Sequence, residues 1–164
     1  MHLESTLICS PVGIIEISGS ADGIRSILFM DSEIKTTPVP ECLQVCVDQL
    51  NEYFDNKRQQ FNLKLDPRGT DFQLQVWEQL QNIPFGTTIS YLELARMTGK
   101  ESYTRAVGNA NGRNKLNIVV PCHRVIGSNG KLTGYGGGLW RKEYLLKLEM
   151  GNTIPGLFAG IKNG

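Results

Sequence analysis

The spacing of apolar residues changes period partway along the chain, and that change limits the folds open to it. Near the N-terminus apolar and polar residues alternate through Leu7, Ile8, Val12, Ile14, Ile15 and Ile17, with breaks at Pro11-Val12-Gly13 and across Ser18 to Gly23. An apolar run resumes from Ile24 to Met30. A period of two belongs to strands with one buried face, and Asp22-Gly23 is a strong hairpin signal. These stretches predict two or three strands joined by hairpins. Beyond a Pro/Thr break at Thr36 to Pro40, the residues Cys42, Leu43, Cys46, Val47, Leu50 and Phe54 recur at three and four, which is the stripe of a helix. Phe61 to Leu65 alternates again and predicts a further strand.

From Thr70 the period is helical. Phe72, Val76, Trp77 and Leu80 predict a helix capped by Thr70 or Asp71 and ended by Ile83-Pro84-Phe85-Gly86. A second helix begins near Ser90 and stops at Gly99, and a third runs from Ser102 through Ala110, a helix-turn-helix arrangement. In the third, Ala106, Gly108, Ala110 and Gly112 interleave with Arg105 and Arg113, so the helix either approaches a surface closely or packs tightly in the core. Asn117 to Val120 reads as a short buried strand, Thr133 to Gly138 as a glycine loop carrying Tyr135, and Trp140 to Met150 as a final helix. In that helix Tyr144, Leu145 and Leu148 are expected inward, and Arg141, Lys142 and Lys147 outward. Residues 151–164 show no periodicity and read as a loose tail. The predicted class is α/β (α+β): a small N-terminal mixed-sheet domain with a helix over residues 1–69, then a helical domain over 70–164.

Charge divides along the same line. Residues 1–69 carry 6 basic and 10 acidic side chains, net −4, and residues 70–164 carry 11 and 6, net +5. Arg96, Lys100, Arg105, Arg113, Lys115, Arg124 and Lys131 face one acid, Glu101, between 96 and 131. Such a run suits either a polyanion or a solvated basic face. No apolar run reaches the roughly 20 residues of a membrane span, so a cytoplasmic protein is expected, or a nuclear one in a eukaryote. With only two histidines, one of them His2, a histidine-rich metal site is excluded.

Cys122 follows Pro121 and precedes the only internal histidine, His123. A thiol with an ordinary pKa of about 8.5 is under a tenth ionised near neutrality, so a base and positive surroundings are needed to make it a nucleophile. His123, Arg124 and Lys131 are the candidates. Consecutive strand residues point to opposite faces, so thiol and imidazole meet only through a bend at Pro121 or through water. Cys9, Cys42 and Cys46 lack such neighbours and read as inert.

The run Pro121-Cys122-His123-Arg124-Val125 resembles the active-site signature of the O6-alkylguanine-DNA alkyltransferases, the methylated-DNA–protein-cysteine methyltransferases. The flanking order is similar as well: Ile89-Ser90-Tyr91, Arg105-Ala106-Val107-Gly108, Asn114, Gly134-Tyr135 with Gly137-Gly138, Arg141-Lys142, Leu145-Leu146 and Glu149. The likeness is close over about residues 70–150 and loose before that. It implies single-use transfer of an alkyl group from O6-alkylguanine to Cys122 after the base is flipped out of double-stranded DNA. O4-alkylthymine stays open as a second substrate, no cofactor is implied, and the protein is expected to act as a monomer.

By the same resemblance His123 is a base acting through water, Glu149 orients it and Asn114 braces the turn. Tyr91 donates to the guanine N3, and Arg105 fills the gap in the stack. Ala106, Gly108, Ala110 and Arg113 lie in the minor groove; Arg124, Val125, Tyr135, Gly136 and Gly137, with the carbonyl of Cys122, surround the base. Lys115 and Asn117 stand where many members have prolines, and Gly136 where some carry serine or alanine. No zinc is expected, because His2, Cys9, Cys42 and Cys46 lack metal-ligand spacing. Two other readings stay open: a lesion-binding module without chemistry, which would lack the cysteine, and a cysteine hydrolase, which would turn over.

Overall fold

The computed structural model describes residues 2–33 and 35–151. The chain divides into two compact units, Met1–Arg68 with Lys115–Val119, and Gly69–Asn114 with Val120–Gly164. The tail expected beyond Gly151 lies outside the described residues.

The first unit holds an antiparallel sheet in the order β1 (Glu4–Ser10), β2 (Gly13–Ser20), β3 (Gly23–Met30). Ile15, Ile17 and Ile27 are fully buried, and α1 (Glu41–Phe54) adds Leu43, Leu50 and Tyr53 to that core. The expected break at Ser18 is absent, since β2 runs on to Ser20 through a register shift between Ser18 and Gly19. A Cβ on Gly19 would lie 2.7 Å from the Gly23 carbonyl oxygen, so the glycine answers a close approach rather than a turn.

The outer edge of β3 explains why two expected strands are missing. Ile24 N donates to Lys64 O (2.9 Å) and Ile24 O accepts from Asp66 N (2.8 Å), which leaves Leu65 as a single bridge in place of a strand over 61–65. One pleat further on, Ile27 N donates to Lys115 O (2.8 Å), and Ile27 O accepts from both the backbone N (3.2 Å) and the side-chain amide (2.9 Å) of Asn117. Each segment occupies the edge where the other would have to extend. Asn117 thereby ties down by hydrogen bonds a stretch that a proline would stiffen. After it the chain turns rather than running as a strand. Val119 N reaches Asn117 O (2.8 Å) around Ile118, whose φ of 72° is strained for a β-branched residue. Cys122 N then reaches Val120 O (2.8 Å) around Pro121 at φ −81°, ψ 65°, a relaxed turn of the opposite hand.

In the second unit α2 (Asp71–Leu80) begins at Thr70, whose hydroxyl accepts from Gln73 N while Gln73 Oε1 accepts from Thr70 N. Ser90 and Glu93 cap α3 (Tyr91–Thr98) in the same way, and Gly99 at φ 151° ends it. A 3₁₀ turn, Glu101–Tyr103, leads into α4 (Thr104–Gly112), two residues later than expected. Two short strands, β4 (Ile89–Ser90) and β5 (Val125–Ile126), pair in parallel. The pairing sets the start of α3 beside the signature.

The last helix, α5 (Leu139–Met150), corrects the expected orientation. Arg141 and Lys142 are buried with Leu145, Leu146, Glu149 and Met150, whereas Tyr144 and Leu148 are half-buried. The cations face inward because backbone carbonyls receive them: Lys142 Nζ donates to Val125 O (2.6 Å) and Thr133 O (2.8 Å), and Arg141 Nη1 to Gly137 O (2.9 Å). No helix among the described residues is long and apolar enough to cross a membrane.

The buried Trp77 Nε1 donates to Ala110 O (2.8 Å), joining α2 to α4. Trp77→Phe should remove that bond and lower the free energy of unfolding by about 0.5–1.5 kcal/mol, the net worth of one hydrogen bond, since Ala110 O keeps its bond from Arg113 N (3.1 Å). Urea unfolding of both proteins checks this.

Candidate active site

Cys122 opens a single 3₁₀ turn, Cys122–Arg124, so the bend that a thiol–imidazole site needs is built into the backbone. The cysteine is 4% exposed and His123 is fully buried. His123 Nε2 lies 2.6 Å from Glu149 Oε2. Arg124 grips the same carboxylate through Nε to Oε1 (2.7 Å) and Nη2 to Oε2 (3.1 Å), and its Nη1 donates to Ile83 O (2.6 Å). Gly86 N completes the set at 3.3 Å from Oε1. Gly86 needs to be glycine twice over, because its φ is 77° and a Cβ would come 3.2 Å from Glu149 O.

Burial alone would push the Glu149 carboxyl upward, but the charges and hydrogen bonds of His123 and Arg124 outweigh it and hold the group well below the usual carboxylate range. Cys122 is raised, chiefly by burial; hydrogen bonds from Asn114 and Tyr135 and the charge of Lys142 act against the rise. Desolvation pulls Lys142 down to about 8. The thiol is therefore protonated at rest, with the Asn114 and Tyr135 hydrogen bonds and the Lys142 ammonium favouring its ionised form.

Neighbouring groups brace this turn. Asn114 Nδ2 donates to Val120 O (2.9 Å), and Asn111 Nδ2 to Cys122 O (3.4 Å). Tyr91 packs its ring against Gly108, where a Cβ would sit 3.6 Å away, and its hydroxyl donates to Thr133 O at 3.4 Å. Tyr135 and Gly137 are half-buried and Gly136 is exposed, in the loop before α5. Val125 is buried, its carbonyl already accepting from Lys142. Among the described residues no cluster of His, Cys, Asp or Glu could hold a metal ion.

Both halves of the chain match family models: residues 3–67 the 6-O-methylguanine DNA methyltransferase, ribonuclease-like domain, and residues 71–151 the 6-O-methylguanine DNA methyltransferase, DNA binding domain. The chain belongs to the O6-alkylguanine-DNA alkyltransferase family. It is 47% identical over 145 residues to the methylated-DNA–protein-cysteine methyltransferase of Mycobacterium tuberculosis, covering 85% of this chain and 88% of that one. The corresponding protein of Methanosarcina barkeri is 46% identical over 153 residues, covering 89% and 96%. The M. tuberculosis O6-methylguanine methyltransferase crystal structure superposes with a TM-score of 0.83 at 42% identity, covering 96% of this chain and 99% of that one. The M. tuberculosis protein in complex with DNA gives 0.82 at 46%, covering 92% and 94%.

Two expected contacts fall elsewhere in this alkyltransferase fold. Arg124 is buried, its donors taken up by Glu149 and Ile83 O, so it holds the carboxylate that meets His123 and has no free face toward the surface. Ala110 is buried under Trp77, while Arg105, Ala106, Asn109, Gly112 and Arg113 share the exposed face of α4. Sequence reasoning missed Asn111, Gly86 and the inward Lys142. Only the helical register of Asn111 with Val107, an inward position one turn earlier, could have signalled the first.

A carboxyl whose folded pKa is depressed contributes stability that is complete above its unfolded value and is lost as pH falls through the folded one. Wild type should therefore lose stability more steeply than Glu149→Gln as pH drops from about 6 to about 3. Urea midpoints across that range measure it; parallel curves would contradict the assignment.

Proposed function

We propose that this chain repairs DNA by moving the alkyl group of an O6-alkylguanine onto its own Cys122, once and irreversibly. The observation that carries the reading is the buried thiol placed directly before a histidine whose far nitrogen is held by an ionised, arginine-clamped carboxylate. His123 draws off the thiol proton through water, Glu149 holds the imidazole with Arg124 behind it, and Asn114 braces the turn. The sulfur lone pair forms a bond to the alkyl carbon as the carbon–O6 bond breaks. The released pair stays on the purine, which takes up one proton in place of the one the thiol gave up. The sum is a thioether and an unmodified guanine.

The target atom is out of reach in a stacked duplex, so the base must be flipped out. The exposed face of α4, with Arg105, Ala106 and Arg113, suits the minor groove, and Arg105 is the long side chain able to fill the gap in the stack. Tyr91 gives its long bond to Thr133 O in exchange for the guanine N3. Backbone groups around Tyr135, Gly136 and Gly137, with the carbonyls of Cys122 and Val125, line the base. A relative's structure in complex with DNA supports the same partner here. Chemistry that consumes a reduced thiol suits the cytoplasm, or the nucleus in a eukaryote, and one copy per lesion.

Intact mass after incubation with excess methylated-guanine duplex should plateau at one added methyl per protein, located on Cys122, because a thioether offers no leaving group. Continued turnover would favour the hydrolase. Cys122→Ala should bind alkylated duplex without transfer. Assaying O4-methylthymine duplex alongside decides the second substrate.

Arg105→Ala should slow repair in saturating duplex by about 10-fold or more, in line with an unstacking cost of a few kcal/mol, and leave reaction with free O6-alkylguanine base unchanged. Recovery of the wild-type rate at saturation would reduce Arg105 to a phosphate contact, with only salt-dependent affinity.

A further inference from the structure

Two buried polar atoms beside Cys122 have no hydrogen-bond partner among the described residues: Asn111 Oδ1 and His123 Nδ1. Asn111 is 4% exposed and His123 fully buried. Each belongs to a residue fixed on Cys122, His123 by the peptide chain and Asn111 through its amide nitrogen on the Cys122 carbonyl (3.4 Å). That bond also fixes which end of the amide is which, since a reversed amide would set two acceptors against each other.

The polarity of the two atoms follows from their partners. Glu149 is ionised and can only accept, so a neutral His123 carries its hydrogen on Nε2, and Nδ1 presents a lone pair. Asn111 Oδ1 is likewise an acceptor. Two acceptors cannot satisfy each other. The surrounding cations are engaged elsewhere: Arg124 with Glu149 and Ile83 O, and Lys142 with Val125 O and Thr133 O. Tyr135, the remaining titratable neighbour, is hydrogen-bonded to Cys122 itself. One molecule with two hydrogens to give would satisfy both acceptors, and a buried water with two to four polar partners is the usual one.

We propose that Asn111 is a positioning residue for alkyl transfer: its Oδ1 and His123 Nδ1 hold one water by its two hydrogens and so turn that water's lone pairs toward the Cys122 thiol. The thiol proton passes to the water oxygen as the water gives a hydrogen to Nδ1. The water is regenerated, His123 becomes imidazolium against the Glu149 carboxylate, and the sulfur keeps its electron pair for attack. Without Asn111 the water can rotate, and its hydrogens face the sulfur as often as its lone pairs do. The inference rests on the transfer reading and adds one residue to it.

The test uses the full chain and free O6-benzylguanine, which removes DNA binding from the measurement, with mass gain on Cys122 followed in single turnover from pH 6 to 10. General-base help is typically worth 10²–10⁴-fold, and losing only its orienting group should slow Asn111→Leu by about 10- to 100-fold near neutrality. The deficit should close as pH rises and hydroxide takes the thiol proton directly. Asn111→Ser, which keeps an acceptor, should recover part of the rate, and Asn111→Ala none. An unchanged rate, or a deficit equal at every pH, would overturn the assignment, because mere damage to the fold does not change the shape of the profile. If Asn111→Leu does not fold, the serine and alanine variants decide, and identical profiles for those two overturn it. Should wild type gain no alkyl mass at all, the transfer reading falls and Asn111's role with it; if wild type reacts and the variants match it, only Asn111's role falls.

Discussion

The Glu149 carboxylate is the interaction on which the rest of the second unit depends. A buried anion is tolerated only when its partners replace the water it has lost, and this one has an imidazole, a guanidinium and a backbone amide. Those partners come from two stretches, the turn at Ile83–Gly86 and the 3₁₀ turn at Cys122–Arg124, while the anion itself sits in the last turn of α5. One charge thus assembles segments that are up to 66 residues apart in the chain. Arg124 extends the arrangement, since the guanidinium that neutralises Glu149 also holds Ile83 O and lies over the Phe85 ring (5.8 Å).

Around that anion the backbone places the cysteine with very little regular structure. A two-residue parallel ladder joins β4 to β5, so the capped start of α3 and the end of the signature are in register. Two γ-turns of opposite hand, at Ile118 and Pro121, precede Cys122. Lys142 then pins Val125 and Thr133 from the far side, closing the turn and the glycine loop onto one ammonium.

How much of this the sequence made legible depended on whether a residue answered to a neighbour in the chain or to a distant one. The β-hairpins, the starts of α2 and α3 and the turn between α3 and α4 are local, and their signals at Asp22-Gly23, Thr70, Ser90 and Gly99 were readable. The reactive cysteine and its histidine are adjacent and were readable too. Glu149 was reached only through the resemblance. Phe61–Leu65 and Asn117–Val120 have strand-like sequences, yet they compete for one edge of β3, which no local pattern reveals. Arg141, Lys142 and Arg124 look like surface cations because charge ordinarily means exposure; here carbonyls and a carboxylate, supplied from elsewhere in the chain, draw them inside.

The burial that raises the Cys122 thiol also governs how long an unused molecule survives. A protein consumed by its own reaction loses capacity each time its sulfur meets a stray oxidant or electrophile, and those reactions proceed through the exposed thiolate. Cys122 is almost wholly enclosed and its thiol is raised by that burial, while Cys9 is exposed. Peroxide should therefore mark Cys9 well before it reaches the residue that cannot be regenerated, and the folded chain keeps its single reaction in reserve.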